Sequence, residues 1–285
     1  MKAITILCVA ALTAFLALIL PFYGNSAGTL PAGDGIGLTD PSESSESGMS
    51  ASGKLPAVSP FGDGAGSKLP DGEKAVYIKS EVNSLRVRSG PGAEYSVLGT
   101  LDKGDMAVFE GEEGDWYLTT YMERPAYISR NAAYTSLLEI EKGSSAVESV
   151  IDVAETLLGY PYIFGSQRYH WGNGILNTDF VAGEFDCSAL TLYAYFKGAG
   201  ITLGLTTRDQ VKQGERVDGE LQRGDLLFFT NASRYDLTGT ERVGHVAIYL
   251  GSNYILHTAS DHAVIEPISE KRRSYFIEAR RLIAL

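Results

Sequence analysis

Residues 184–200, EFDCSALTLYAYFKGAG, constrain this chain most, because they place one cysteine at the start of a helical pattern. Asp186 and Ser188 are residues that begin helices, and the glycines that follow the apolar pattern end it. The only other cysteine, Cys8, lies in an N-terminal apolar run, so Cys187 is predicted to be a free thiol in the first helical turn. Helix N–H groups and the helix dipole stabilise a thiolate there, but a lone cysteine also packs as a buried apolar residue.

Two histidines downstream favour the catalytic interpretation of Cys187. Residues 243–250, VGHVAIYL, alternate as a strand that carries His245, and residues 254–259 form a second strand that carries His257. A three-residue loop between the strands places both histidines on one face, whereas a two-residue loop places them on opposite faces. With the longer loop, Cys187 would attack, His245 would take and return the proton, and His257 would orient the imidazole of His245.

Four segments in this order, FDCSAL, RGDLLFF, GHVAIYLG and LHTA, resemble the successive motifs of the NlpC/P60 family of cell-wall cysteine peptidases. The resemblance covers residues 144–285 and implies an α+β, papain-like domain in which the cysteine helix packs on an antiparallel sheet that carries both histidines. It implies that Tyr162, in GYPYIFGS, helps to stabilise the oxyanion. It also implies that Asp186, Ser188 and Thr207 contact the substrate, with helix capping as a competing role for the first two.

The resemblance implies a cysteine peptidase of peptidoglycan stem peptides or muropeptides. The bond cut would join D-γ-glutamyl to the following diamino acid, through a thioester on Cys187. No cofactor is expected, and no metal either, because the histidine spacing offers no zinc cluster. Amidases and acyltransferases use the same scaffold, and an inactive wall-binding protein or a structural wall protein would also retain it, so these remain alternatives.

Two long loops, at residues 166–183 and 231–242, depart from the family pattern and are expected to line the groove if they have a role in function. The first contains His170, which could in principle compete with His245 as the base. A histidine followed by Trp-Gly-Asn-Gly is more typical of a surface loop, so His245 is preferred. His262 follows the second histidine strand and has no partner identifiable from the sequence.

The N-terminal half divides into segments of different composition. An apolar run at residues 3–20 predicts that residues 1–23 are either a cleaved signal peptide or a membrane anchor, so the remainder would be extracytoplasmic: secreted, wall-associated or anchored. A membrane partner is expected only through this segment. Residues 24–73, rich in Gly, Ser and Pro, predict a flexible linker. Residues 74–138 have short alternating runs that predict a small all-β barrel.

That small barrel resembles a bacterial SH3-like domain, through the run LRVRSGPGAEYSVLGTLDKGD. Trp116 and Tyr127 are expected in its core, with contact to wall material as the alternative. Such a domain would either bind the wall or form one side of the catalytic groove. The catalytic domain is expected to begin with a capping box at Ser145 and Glu148, which opens an amphipathic helix.

Net charge limits the partners. The formal charge of −11 argues against nucleic acid, since the basic patches that bind phosphate are not evident. It also provides no electrostatic attraction to anionic wall polymers. The oligomeric state has no signal in the sequence.

Overall fold

The computed structural model describes residues 72–258 and 261–284. The expected signal peptide or anchor at residues 1–23, and nearly all of the expected linker at residues 24–73, lie outside the described residues. Within the described part, none of the helices has the length and apolar character needed to span a membrane. The α+β class expected from the sequence is confirmed, with helices packed on antiparallel sheet and an SH3-like region before the cysteine domain.

The N-terminal region consists of eight short strands. They are β1 (Lys74–Ser80), β2 (Leu85–Arg88), β3 (Val97–Leu101), β4 (Met106–Val108), β5 (Gly111–Glu113), β6 (Trp116–Tyr121), β7 (Arg124–Ser129) and β8 (Thr135–Glu141). One antiparallel sheet has the order β3-β2-β7-β6-β5, while β8, β1 and β4 belong to a second sheet. The frequent turns between alternating runs thus produce the small, bent β-structure that the sequence predicts.

The core of this region is formed by the residues next to Trp116 and Tyr127. Tyr117 and Ile128 are buried, whereas Trp116 and Tyr127 are half-buried on the other face of β6 and β7. The hydroxyl of Tyr127 donates a hydrogen bond to Glu113 at 3.2 Å. The prediction that Trp116 and Tyr127 are core residues is therefore wrong. Side chains alternate between the two faces of a strand, and the neighbours Tyr117 and Ile128 occupy the buried face instead.

The C-terminal region contains the remaining elements. They are α1 (Ser145–Thr156), α2 (Cys187–Ala199), α3 (Thr207–Gln210), β9 (Glu215–Arg216), β10 (Leu226–Phe229), a 3-10 helix (Gly239–Arg242), β11 (His245–Gly251), β12 (Tyr254–Thr258), β13 (Ala263–Pro267), α4 (Glu270–Ser274) and β14 (Phe276–Arg281). Their strands extend the second sheet, whose order is β8-β1-β4-β13-β12-β11-β10-β14-β9. Met106 of β4 pairs with Ile265 of β13, so one sheet continues through both regions.

Helices α1 and α2 approach closely because Gly198 has no side chain. A Cβ atom on Gly198 would lie 2.4 Å from the backbone oxygen of Ser149 in α1. Helix α2 ends, as predicted, at Gly200, which adopts the left-handed conformation with φ of 67°. The contact with α1 holds the buried face of α2 against the sheet, and with it the start of the helix.

The start of α1 differs from the predicted capping box. The N-cap position is Ser144, one residue before the predicted Ser145, and its side chain makes no capping hydrogen bond. Glu148 accepts a hydrogen bond from the backbone N–H of Gly143 at 2.7 Å and forms an ion pair with Arg223 at 2.8 Å. The carboxylate thus satisfies an N–H group at the helix start and ties α1 to the segment before β10.

A buried polar network joins the N-terminal region to α1. Tyr77 of β1 donates its hydroxyl proton to Glu155 of α1 at 2.6 Å, and Arg223 donates to the Tyr77 oxygen at 2.9 Å. Arg223 also forms a bidentate ion pair with Glu148, with N···O distances of 2.8 and 2.9 Å. Burial raises the pKa of Glu155 to about 7, although the hydrogen bond from Tyr77 and the charge of Arg223 act in the opposite direction. The two regions therefore dock through specific hydrogen bonds as well as apolar packing.

Candidate active site

Cys187 is the first residue of α2, as the sequence predicts. The capping residue Asp186 accepts a hydrogen bond from the backbone N–H of Ala189 at 2.8 Å. The Cys187 side chain is buried and is a free thiol in the part of the chain that the structure describes. The backbone N–H groups of Ser188 and Val246 act on its sulfur and lower the pKa of the thiol. The start of α2 thus meets the start of β11.

Burial keeps the thiol of Cys187 protonated. Burial, together with the nearby carboxylate of Asp186, raises the pKa of the thiol to about 12. The two backbone N–H groups and the guanidinium of Arg168 act in the opposite direction without outweighing burial. In this buried position the thiol is the favoured form of Cys187, and the thiolate forms as a base takes up the proton.

His245 and His257 belong to a hydrogen-bond chain of four side chains. Nε2 of His245 lies 2.9 Å from Nδ1 of His257. Nε2 of His257 lies 3.0 Å from Oε1 of Glu266, which also accepts from Arg272 at 3.1 Å. Sequence reasoning did not identify Glu266 and Arg272. The available signal was a carboxylate in AVIEP, an otherwise apolar strand next to the one that carries His257.

His257 lies on the same face of the sheet as His245, although the turn is not the three-residue loop on which that arrangement was expected to depend. The register of β11 with β12 places Ala247 opposite His257. The turn consists of two residues, Ser252 and Asn253, with φ of 48° and 68°. The register shifts before the turn, where Leu250 is an extra residue in β11. A two-residue turn alone would have placed His245 and His257 on opposite faces, and the extra residue in the bulge returns them to the same face.

Both imidazoles are neutral in this environment. Burial lowers the pKa of His245 well below its usual value, and Arg272 and His257 act in the same direction. Burial and Arg272 also lower the pKa of His257, against an opposing effect of Glu266. For Glu266, burial alone would raise the pKa, but His257 and Arg272 outweigh it and lower the pKa to about 2. At neutral pH the site therefore holds two neutral histidines beside one ionised carboxylate.

Asp186 and Ser188 form a closed network around the helix start. One carboxylate oxygen of Asp186 accepts from the N–H of Ala189 and the hydroxyl of Ser188, at 2.8 and 2.9 Å. The other accepts from the N–H of Gly165 at 3.1 Å and from Arg168, in the first insertion, at 2.8 Å. A carboxylate has about four lone-pair positions, and these four donors occupy them. The network favours helix capping as the role of Asp186.

Tyr162 lies next to the segment that leads into the cysteine helix, and its neighbours Pro161 and Asp261 line a cavity where the two regions meet. Its backbone bridges to Phe185, two residues before Cys187, and its N–H donates to the carbonyl of Asp261 at 2.8 Å. The N-terminal region supplies one side of the cavity. The cavity measures about 230 Å³ and is lined by Leu98, Gly99, Thr100, Tyr121, Gly159, Pro161, Asp261 and His262.

Thr207 is the first residue of α3 and is buried. The same short helix is held against α2 by Gln210, which is also buried. Gln210 accepts from the hydroxyl of Thr191 at 2.8 Å and donates to the carbonyls of Ser188 and Gly204 at 2.9 and 3.0 Å. Sequence reasoning missed Gln210, because a polar residue in a single helical turn carries no periodic signal of burial.

His170 is fully buried, so the prediction of a surface histidine is wrong. Its ring packs on Phe196 of α2, with ring centroids 4.8 Å apart, and its Nδ1 accepts from the N–H of Gly172 at 3.0 Å. Burial lowers its pKa. This histidine anchors the first insertion on α2. Among residues 72–258 and 261–284, there is no group of three or more His, Cys, Asp or Glu side chains that could hold a metal ion.

Family models match both regions of the chain. The model described as NlpC/P60 family matches residues 161–281, and the model described as bacterial SH3 domain matches residues 83–135. Together these matches cover the regions in which the sequence resembles the NlpC/P60 motifs and the SH3-like domain.

Two curated relatives and one solved structure illustrate the similarity. The peptidoglycan DL-endopeptidase CwlO of Bacillus licheniformis is 34% identical over 139 residues, which are 48% of this chain and 27% of that protein. A gamma-D-glutamyl-L-lysine dipeptidyl-peptidase of Bacillus cereus is 32% identical over 142 residues, which are 48% of this chain and 37% of that protein. The chain thus matches less than two fifths of the length of either relative. The crystal structure of an NlpC/P60 family protein from Bacillus cereus is 21% identical, with 74% of this chain and 64% of that chain covered and a TM-score of 0.39.

Proposed function

Because this chain carries an NlpC/P60 domain behind a bacterial SH3 domain, we propose that it is a cysteine peptidase that hydrolyses the stem peptides of peptidoglycan. The main support is a free cysteine at the start of α2, a helix that packs on the strand of His245, together with the hydrogen-bonded chain of side chains that begins at His245. The name of one relative specifies a γ-D-glutamyl-L-lysine bond. The bond that we propose for this chain accordingly joins D-γ-glutamyl to the next diamino acid.

The proposed reaction has two stages. The sulfur of Cys187 attacks the glutamyl carbonyl while its proton passes to Nδ1 of His245, the ring nitrogen that does not contact His257. His245 then gives this proton to the leaving amine, and the C–N bond breaks to leave a thioester. In the second stage His245 takes a proton from water and the hydroxide adds to the thioester. The C–S bond then breaks to release the product, and His245 returns the proton to the sulfur, which regenerates the thiol.

The proposal includes the contacts with the substrate that the resemblance to the NlpC/P60 family implies. The hydroxyl of Tyr162 and the N–H groups at the start of α2 stabilise the oxyanion in this proposal. Ser188 and Thr207 contact the substrate. Asp186 acts indirectly, by holding Ser188 and the first turn, because four donors already surround its carboxylate.

The proposed reaction takes place outside the cytoplasm, where peptidoglycan lies. The relatives named as peptidoglycan hydrolases and the apolar run at residues 3–20 support this location.

Mass spectrometry of defined muropeptides tests the proposal. Glycan-linked fragments and free tripeptides and tetrapeptides are incubated with the chain and with its Cys187→Ala and His245→Ala variants. A cut after D-Glu that both variants lose supports the proposal. His262→Ala is the matched control, since His262 lies outside the His245–His257 chain, and it should retain the cut.

Other outcomes would contradict the proposal. Release of the whole stem peptide from the sugar would indicate an amidase, and transfer of the acyl group to an added amine without hydrolysis would indicate an acyltransferase. No cut by folded protein would indicate a wall-binding role.

A further inference from the structure

The partners of Glu266 determine where the proton of His257 lies. Oε1 of Glu266 accepts from Arg272 at 3.1 Å and lies 3.0 Å from Nε2 of His257. An ionised carboxylate has no proton to donate, so Nε2 of His257 has to be the donor. A neutral imidazole carries one N–H, and the Nδ1 of His257 is therefore bare.

The same reasoning extends to His245. The bare Nδ1 of His257 lies 2.9 Å from Nε2 of His245, so this contact is a hydrogen bond only if His245 donates from Nε2. Neutral His245 then has a bare Nδ1, which is the one ring nitrogen left to accept the thiol proton of Cys187.

We propose that Glu266 is a positioning residue that acts through two imidazoles, selecting the tautomer of His245 in which Nδ1 is the base. This inference rests on the proposed function, in which His245 takes the proton of Cys187. Glu266 touches neither the thiol nor the substrate. Glu266 fixes the proton of His257 on Nε2, and His257 in turn fixes the proton of His245 on Nε2.

Without the Glu266 carboxylate, the two histidines can also hold their protons on the opposite ring nitrogens. His257 could then donate from Nδ1 to Nε2 of His245, and His245 would carry its own proton on Nδ1. A His245 in that tautomer cannot accept a proton from Cys187, so molecules in this arrangement are inactive. Because His257 is fully buried, water is poorly placed to substitute for the lost acceptor.

The position of Glu266 in the sheet accounts for its reach. Val264 of β13 pairs directly with His257 of β12, and Glu266 is two residues further along β13, on the same face as Val264. Diagonal neighbours on one face lie close enough for long side chains to touch. Arg272, in α4, donates to the same carboxylate oxygen as His257.

Nuclear magnetic resonance of the full chain labelled with ¹⁵N-histidine reads the tautomers directly. The chain has four histidines, and single His→Gln variants assign them. We expect the native His245 and His257 to carry their protons on Nε2. In the Glu266→Leu/Arg272→Met variant, which leaves neither a buried lone cation nor a lone carboxylate, both histidines should show a substantial Nδ1–H population.

Turnover of the stem peptide gives the second measurement. In the double variant, kcat should fall roughly 10- to 100-fold, as for other partners that orient a functional histidine, while KM changes by less than about threefold. Glu266→Gln should recover most of the loss, because its amide oxygen can still accept from His257. Glu278→Gln is the matched control, since that carboxylate pairs with Arg280 and Arg216, and it should change neither measurement.

Two results would overturn the inference: a native His245 that carries its proton on Nδ1, or a folded double variant with native tautomers and native kcat. The proposed function fails separately. If the native chain cuts no stem peptide, while the spectra show His245 protonated on Nε2 in the native chain and on Nδ1 in the double variant, the assigned reaction is wrong and the tautomer control by Glu266 stands.

Discussion

Glu155→Gln should stabilise the chain increasingly as the pH rises. Burial raises the pKa of Glu155 to about 7, from a usual value of 4.5. The folded state therefore favours the protonated carboxyl, whose stabilisation is fully present below the unfolded pKa and is lost as the pH rises through the folded pKa. Gln imitates the protonated group, since its amide oxygen can still accept the hydroxyl proton of Tyr77. Gln does not ionise as the pH rises, so the variant has no buried charge at this position.

The magnitude follows from the shift in pKa. With a folded pKa of about 7 and an unfolded pKa of 4.5, ionisation of Glu155 costs about 1 kcal/mol of stability near pH 5 and about 3 kcal/mol near pH 8. The free energy of unfolding of the variant minus that of the native chain should therefore rise by about 2.5 kcal/mol over this range.

Urea denaturation followed by circular dichroism at each pH measures this difference. The difference matters more than the native profile, because the buried histidines also titrate in this range: they are neutral when folded, and contribute stability that rises with pH. Glu139→Gln is the matched control, since its carboxylate is exposed and pairs with Lys74. A difference between native and Glu155→Gln that stays constant from pH 5 to pH 8 would refute the reasoning.

Three further substitutions test other parts of the structure. Arg168→Ala should raise the pKa of Cys187 further and slow its alkylation by iodoacetamide at fixed pH, because the guanidinium lowers that pKa; an unchanged pH profile would contradict this. Gly198→Ala should lower the free energy of unfolding by about 1–3 kcal/mol, because the added Cβ clashes with α1. Gly183→Ala is the control: its added Cβ meets open space among the described residues, so the free energy of unfolding should change by less than about 0.5 kcal/mol. Gln210→Met should cost about 1–3 kcal/mol in the same urea measurement, because it leaves buried hydrogen-bonding groups unpaired.

The parts of the site that the sequence predicted correctly depend on local rules. Cys187 lies at a helix start because Asp186 caps the helix and the glycine at its other end stops it, and both signals are read within one segment. The shared face of His245 and His257 follows from strand alternation across one short hairpin. Even there, the bulge at Leu250 has no sequence signature, and the correct face resulted from a different turn than the one expected.

The missed features depend on contacts between distant segments. Glu266 reaches His257 only because β13 pairs with β12 in one register, and its interaction with Arg272 depends on where α4 begins. Arg168 lies in an insertion without periodic pattern, and its contact with Asp186 is set by the path of that loop. The sequence could not predict the burial of His170 for the same reason, since it packs on a helix that lies later in the chain.

The pairing of β4 with β13 gives the SH3 region a protective role. A C-terminal fragment without residues 72–141 would leave the edge of β13 uncovered at Ile265, where Met106 pairs with it, and an open strand edge invites association with other chains. That edge belongs to the strand that carries Glu266. Proteolytic loss of the small barrel should therefore promote aggregation and also loosen the strand on which the orientation of the histidines depends.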